Sequence, residues 1–129
     1  MRLGCIVQVI PYDAPEEKTV TDAPAPAYAM VQIKIKDLAE FNERYSQHVF
    51  PILEKFGVLM VAGSTTPTTM EGSFDGNWAA VLRFPSLAVA REWYDSAEYA
   101  PFRDLRIQEL TDFDSLVFLE GFPVDQPVA

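Results

Sequence analysis

The sequence has one cysteine and one histidine among its 129 residues, and this scarcity excludes several kinds of chemistry. Cys5 has no partner for an intrachain disulfide, and a lone His48 cannot provide a ligand spacing of the zinc type. The six glycines form neither a GxGxxG nor a Walker pattern, and no serine lies in a nucleophile elbow. We therefore expect no cofactor, no metal site, and no nucleotide, phosphoryl or covalent serine chemistry.

Basic residues and long apolar runs are scarce as well. Ten Lys and Arg stand against 19 Asp and Glu, which gives a net charge of −9. Nucleic acids and anionic membranes bind clustered Lys and Arg, so neither is expected as a partner. The apolar run from Cys5 to Ile10 is shorter than a signal peptide core of roughly 7–15 residues or a membrane helix of about 20. We expect a cytoplasmic protein.

The remaining composition is that of one folded domain. Hydrophobic residues make up 49% of the chain and aromatic residues 12%, which is enough to build a core. Four of the ten prolines fall between Pro11 and Ala27, where no periodicity is present. The predicted organisation is an N-terminal arm with a proline-rich linker (residues 1–27), a domain (residues 28–122) and a C-terminal tail (residues 123–129).

Hydrophobic periodicity predicts four strands in the domain. Val31, Ile33 and Ile35 alternate with polar residues, which is typical of a half-buried strand. Further strands are predicted over residues 58–63, 78–84 and 116–120. The arm, residues 3–10, could add a strand to a sheet edge.

Capping signals predict the helices between these strands. Asp37, followed by Glu40, has the pattern of a capping box, and Gly57 is suited to the helix end. Pro51 is expected to kink this helix, because proline lacks an N–H and clashes with the preceding turn. Ser86 is expected to cap the second helix. Residues 98–109 are expected to form a separate short helix or turn. The predicted order is β-α-β-β-α-β.

This order predicts an α+β sandwich in which both crossover helices cover one face of an antiparallel sheet. The opposite face keeps apolar side chains from the central strands without a cover. A bare apolar sheet face favours association, so we expect a homodimer.

Residues 28–121 contain several short motifs: Tyr45 and Pro51, Phe56-Gly57, Glu71-Gly72, Phe84-Pro85-Ser86, and Trp93-Tyr94-x-Ser96-x-Glu98-Tyr99. These motifs resemble those of the domain of unknown function 1330 family, in the dimeric α+β barrel superfamily. The resemblance implies a ferredoxin-like fold with a four-stranded antiparallel sheet that pairs with a second copy as a dimeric barrel. Gly57-Val58 and Asn77-Trp78 depart from the family, which usually has Gly-Gly and an arginine there.

His48 is the candidate catalytic residue, because histidine is the side-chain type suited to proton transfer near neutral pH and the chain has one. Arg44 precedes it by one turn on the same flank and is a candidate ligand-binding residue. The alternative is a half-exposed histidine at the helix edge without a role.

Aromatic side chains with polar tips are candidates for a binding pocket. Trp93, Tyr94 and Tyr99 could form a wall with orienting hydroxyls, and Trp78 could complete it. We expect this pocket between the sheet and residues 93–102, because the break before Pro101 prevents continuous helix packing. The alternative is that these aromatics are ordinary core residues.

Two arginines complete the candidate site. Arg83 or Arg106 could hold an acidic ligand by charge-assisted hydrogen bonds. Arg83 could instead pair within the chain, with Glu71 or Glu120.

The sequence leaves three functions open. One is the binding of a small organic molecule, for example an acidic or aromatic one, between helices and sheet. Another is a cofactor-free enzyme of the isomerase, cyclase or monooxygenase type that uses His48. The third is a structural dimer without catalysis.

Overall fold

The computed structural model describes residues 25–122. The expected N-terminal arm (residues 3–10), most of the proline-rich linker and the tail from residue 123 lie outside the described residues. The strands are β1 (Ala27–Ile35), β2 (Leu59–Ser64), β3 (Trp78–Phe84) and β4 (Thr111–Glu120). The last strand begins five residues earlier than its apolar pattern predicts, because its first half carries Asp112 and Asp114.

The four strands form one sheet in the order β2-β3-β1-β4, and every neighbouring pair is antiparallel. The strands β1 and β3 are central in the sheet and pair with each other. Ala27 lies opposite Phe84 at one end of the pair, and Ile33 lies opposite Trp78 at the other. The register shifts between Lys34 and Ile35 on β1 and between Met60 and Ala62 on β2. This arrangement confirms the predicted ferredoxin-like α+β fold.

Two helical crossovers connect the strands. The first consists of α1 (Leu38–Phe41), a π-helical turn π1 (Asn42–Ser46) and α2 (Gln47–Lys55). The second consists of α3 (Leu87–Asp95), α4 (Ala100–Leu105) and a π-helical turn π2 (Arg106–Leu110). The short helix predicted over residues 98–109 corresponds to α4 and π2.

The helix starts follow the predicted capping. The Asp37 carboxylate accepts a hydrogen bond from the Glu40 N–H at 3.0 Å, and the Ser86 hydroxyl accepts one from the Val89 N–H at 3.1 Å. Gly57 has a φ of 76° after the end of α2, a conformation that glycine adopts without strain. Pro51 lies inside α2, and the kink predicted there stays a prediction. The π-helical turn before α2 has no signal in the sequence.

Small residues on β1 make room for aromatic rings on its neighbours. Ala27 stands opposite Phe84 on β3, and Ala29 stands opposite Phe118 on β4. The Phe84 ring packs against Phe118 at 5.7 Å and against Trp93 of α3 at 5.5 Å between centroids. These contacts form the centre of the main core and fix α3 on the sheet.

Within residues 25–122 no helix lies on the other sheet face, which is apolar in part. Its exposed large hydrophobic residues on β1, β2 and β4 are Met30, Leu59, Phe113, Val117 and Leu119. We call these five residues the open face. Within residues 25–122 no helix is long and apolar enough to cross a membrane; the cytoplasmic location stays a prediction.

Asn77 binds the end of β1 from the loop before β3. Its amide oxygen accepts from the Ile35 N–H at 2.7 Å, and its amide nitrogen donates to the Ile35 carbonyl at 2.9 Å.

We expect Asn77→Ala to lower the free energy of unfolding by about 1–2 kcal/mol, because two partly buried hydrogen bonds are lost. Urea denaturation measures the change. Asp75→Ala is the control, since it removes only the exposed Lys34–Asp75 ion pair and should cost less than about 0.5 kcal/mol. Equal effects of the two variants would contradict a structural role for the Asn77 amide.

Candidate functional site

A cavity of about 280 Å³ lies between the first crossover and the helix-covered face of the sheet. Its size is at the lower end of ligand pockets, which run from about 300 to 1,000 Å³. Most of its lining side chains are aliphatic or aromatic. The strands contribute Val31, Ile33, Ile35, Met60, Trp78, Ala80, Leu82 and Leu116, and the helical segments contribute Leu38, Phe41, Tyr45, Val49, Phe50, Leu53 and Trp93.

Arg106 forms the charged part of this lining. Its side chain is 3% exposed and donates through Nη1 to the Asp114 carboxylate of β4. The Thr111 hydroxyl lies against the same carboxylate and donates to the Arg106 carbonyl at 2.8 Å. The turn π2 therefore holds Arg106 with its guanidinium facing the sheet and its charge balanced by one buried partner.

Two tyrosines flank the guanidinium. The Tyr45 and Tyr99 hydroxyls are 2.6 Å apart and share a hydrogen bond, and the Arg106 Cζ lies 6.0 Å from the Tyr45 ring centroid. Burial raises the pKa of Tyr45 well above 10.0 and also raises the pKa of Tyr99, in both cases against the opposing effect of Arg106. Burial alone would lower the pKa of Arg106, but Tyr45, Tyr99 and Asp114 outweigh it and the pKa is raised. At neutral pH the phenols are protonated donors and the guanidinium is charged.

Two hydrogen-bond donors of the cavity lining have no partner among the described residues. They are the indole Nε1 of Trp93 and the Nε of Arg106, and their side chains are 1% and 3% exposed. A buried donor without an acceptor costs about 1–3 kcal/mol. Both atoms are sealed from the cavity by the side chains packed around them.

The mouth of the cavity is bordered by residues that are apolar and exposed. Leu38 and Phe50 lie on the helical side, 48% and 50% exposed, and Met60 on the edge strand β2 is 45% exposed. Next to it is a second depression of about 340 Å³, which shares Phe50 and Met60 with the first. Asn42 and Thr65 are exposed lining residues as well, so the border of the cavity also has polar side chains.

Three of the candidate ligand-binding residues line the cavity, and the others lie elsewhere. Trp78, Trp93 and Arg106 come together at its wall. Tyr99 stands behind the wall, stacked on Trp93 at 4.1 Å between ring centroids. Tyr94 packs edge-on against Phe118 and lies 5.2 Å below the Arg103 guanidinium. A binding role for any of these residues stays a prediction.

His48 is exposed on α2 and does not line the cavity. Its ring stacks on Phe102 of α4, with 5.3 Å between centroids and 12° between planes. Among the cavity-lining residues of the described chain, no carboxylate, histidine, lysine or cysteine is present. The cavity thus offers donors but no side chain suited to act as a general base.

Arg44 and Arg83 are remote from the cavity. Arg44 pairs with Glu40 at 2.6 Å and with Glu109 at 3.0 Å, so that it connects α1 to π2 at the surface. Arg83 is exposed at the end of β3, opposite Tyr28. Within residues 25–122 Arg83 forms no ion pair, so the expected pairing with Glu71 or Glu120 is wrong.

The expected pocket over the helix break is filled by side chains. The chain between α3 and α4 turns through Ser96, whose hydroxyl donates to the Trp93 carbonyl at 2.8 Å and accepts from the Tyr99 N–H at 3.2 Å. This turn directs the Tyr99 ring onto Trp93, and both are fully buried. The cavity lies instead at the first crossover, where π1 and α2 meet the sheet.

Sequence reasoning missed Tyr45 and Asp114 as parts of the site. Tyr45 belongs to the apolar stripe with Phe41 and Val49, and the only available signal was a hydroxyl within that stripe. Asp114 lies in a polar stretch before the predicted last strand, where nothing in the sequence pairs it with Arg106.

The comparisons with known proteins agree with this fold. A family model described as "Domain of unknown function (DUF1330)" matches residues 26–122, and the chain belongs to this family. No curated protein matches the chain.

Two similar crystal structures are of RPA0582, a protein of unknown function from Rhodopseudomonas palustris, and of its methylated form. The first is 18% identical with a TM-score of 0.63, covering 85% of this chain and 95% of that chain. The methylated form is 15% identical with a TM-score of 0.65, covering 88% and 95%. At such identities the likeness shows the fold alone.

The buried phenols predict a loss of stability at alkaline pH. In the unfolded chain Tyr45 and Tyr99 ionise near pH 10.0, whereas the folded protein keeps both protons to higher pH. The two protonated phenols contribute fully to the free energy of unfolding below pH 10. This contribution is lost as the pH rises toward the raised pKa values of the folded protein.

Chemical denaturation between pH 8 and 12 measures this slope, and absorbance near 295 nm follows phenolate formation. Tyr45→Phe should flatten the fall in stability and remove one late-titrating phenol. In concentrated urea, which unfolds the chain, the late titration should vanish for the wild type and for the variant. If the stability of Tyr45→Phe falls with pH as steeply as that of the wild type, the slope does not come from Tyr45.

Proposed function

We propose that the protein binds a small, mostly apolar organic molecule in the cavity beside the first crossover. The observation that carries this proposal is the cavity of about 280 Å³ itself, whose lining is mostly aliphatic and aromatic with a few polar residues, among them Asn42 and Ser46. A ligand with an apolar body would replace water on the walls, and its polar end would bond to one of these polar side chains.

Binding without catalysis is the better supported form of this proposal. Proton transfer requires a base within reach of the bound molecule, and the one histidine stacks on Phe102 outside the cavity. An isomerase, cyclase or monooxygenase that uses His48 has no geometric support among the described residues.

A cavity-filling substitution tests ligand binding directly. Ala80 is 6% exposed and lines the cavity from β3. We expect Ala80→Leu to abolish the binding of small aromatic ketones and acids while keeping the melting temperature within a few degrees, because the added methyl groups fill a void. A thermal-shift screen followed by calorimetry on the full chain measures both.

Ala88→Leu on the exposed side of α3 and His48→Ala are the matched controls. Both lie outside the cavity lining, so both should bind like the wild type. Ligands that bind Ala80→Leu as tightly as the wild type would show that the cavity is not the binding site.

We also propose that the open face pairs with a second copy of the chain. Its members Met30, Leu59, Val117 and Leu119 are 43–60% exposed, and they come from three strands on the sheet face that no helix of residues 25–122 covers. Exposed apolar side chains gathered on one face mark association sites in soluble proteins. A stable homodimer requires roughly 1,000 Å² or more of buried surface, which a four-stranded face can supply.

Light scattering should give about twice the chain mass of 14.5 kDa at micromolar concentration. Val117→Lys should shift the mass toward 14.5 kDa, because a charge among the apolar side chains of the open face is costly to bury in an interface. Met70→Lys is the control, since Met70 is 85% exposed and lies in the β2–β3 connection away from this face. A wild-type mass of one chain would refute the dimer.

A further inference from the structure

The cavity continues into the depression next to it. The cavity of about 280 Å³ and the depression of about 340 Å³ share four lining residues, which are Phe50 and Leu53 of α2, Met60 of β2 and Leu82 of β3. All four side chains are hydrophobic, so the passage between the two spaces is apolar. We call the cavity and the depression together the trough.

The helical side of the trough is a row of residues spaced four apart. Asn42, Ser46, Phe50 and Glu54 line it, and this spacing keeps them near one side of the first crossover. The helix axis rises by roughly 18 Å from Asn42 to Glu54, at 1.5 Å per residue. Asn42 and Ser46 line only the cavity and Glu54 lines only the depression, so the trough runs along the helix.

The sheet side of the trough has the same direction. Val58 precedes β2 and lines only the depression, whereas Thr65 follows β2 and lines only the cavity. The trough therefore also runs along the edge strand. One end has the uncharged polar side chains of Asn42, Ser46 and Thr65, and the other end is bordered by Val58 and Glu54.

We propose that the trough binds linear aliphatic molecules with a hydrogen-bonding head group, such as medium-chain alcohols, an inference that rests on the proposed function. The hydroxyl lies at the end with Asn42, Ser46 and Thr65, whose side chains can donate to it or accept from it. The aliphatic chain passes Phe50 and Met60 and ends in the depression. These two side chains are 50% and 45% exposed, and a chain lying along them removes apolar surface from water.

Volume decides which chain lengths require the depression. If each non-hydrogen atom takes the roughly 30 Å³ that a water molecule occupies in the liquid, hexan-1-ol requires roughly 210 Å³, cyclohexylmethanol roughly 240 Å³ and decan-1-ol roughly 330 Å³. The cavity of about 280 Å³ therefore holds the first two, whereas decan-1-ol has to extend into the depression.

A series of alcohols measures the usable length of the trough. Hexan-1-ol, octan-1-ol and decan-1-ol are titrated into the full-length wild type, and the fluorescence of Trp78 and Trp93, which line the cavity, reports binding. Each methylene that leaves water should tighten binding about fourfold, so decan-1-ol should bind at least about 100-fold more tightly than hexan-1-ol. Equal affinities for the three alcohols would overturn the proposal.

Val58→Phe tests the depression separately from the cavity. The larger ring should fill the depression, where Val58 is partly buried, and leave the cavity unchanged. Decan-1-ol should then bind less than about tenfold more tightly than hexan-1-ol, because its last methylenes stay in water. Hexan-1-ol and cyclohexylmethanol should keep their wild-type affinities.

Val61→Phe is the matched control for this variant. Val61 lies on the same edge strand, is 56% exposed and lines neither the cavity nor the depression. The same substitution there should keep the wild-type affinities for all the alcohols. A loss of decan-1-ol binding as large as that in Val58→Phe would show that the depression is not responsible.

A measurement on the wild type covers the case in which Val58→Phe does not fold. In a nuclear Overhauser experiment, the terminal methyl group of decan-1-ol should give cross-peaks to the methyl groups of Val58, whereas no part of hexan-1-ol should. Cross-peaks from the C1 methylene of decan-1-ol to Val58 would overturn the placement of the hydroxyl at the other end of the trough.

The outcomes separate this inference from the proposed function. If hexan-1-ol binds, Ala80→Leu abolishes its binding and longer alcohols gain nothing, the cavity binds ligands but the trough is wrong. Equal losses for all alcohols in Val58→Phe also overturn the trough. If no alcohol binds but the aromatic ketones and acids include ligands that Ala80→Leu excludes, this inference alone fails. If neither set of compounds binds the wild type, the proposed function itself fails.

Discussion

The buried pair of Arg106 and Asp114 is the constraint on which the polar part of this core depends. Arg106 follows α4, Asp114 lies on β4, and Tyr45 and Tyr99 bring the first and second crossovers to the same guanidinium. Removing the carboxylate would leave a buried charge, which typically costs about 3–5 kcal/mol. The pair therefore fixes the position of π2 against the sheet and sets the charge of the neighbouring cavity.

Aromatic packing decides on which side of the core the cavity lies. Ser96 ends α3 with side-chain hydrogen bonds and turns the chain so that Tyr99 stacks on Trp93. This stack fills the space that a broken helix would otherwise leave under the second crossover. The first crossover has no such ring pair beneath α2, where Val49, Leu53 and Ala80 leave room.

The fold followed from the sequence because its signals are local. Alternation in β1, caps at Asp37 and Ser86, and glycine at position 57 each specify an element without reference to distant residues. The site was predicted only in part, since Trp78, Trp93 and Arg106 meet at one cavity but Arg44, Arg83 and His48 do not. Whether a helix-edge residue points inward depends on π1, which shifts the helical phase by a residue and leaves no mark in the sequence.

The unpartnered donors argue against a core built for stability alone. Phenylalanine in place of Trp93 would remove an unsatisfied N–H at little loss of packing, and apolar side chains in place of a buried ion pair are often neutral or stabilising. Both donor atoms are sealed among their neighbours, so their cost belongs to the packing around the Arg106–Asp114 pair. The support for the proposed ligand is the mostly apolar cavity beside this pair.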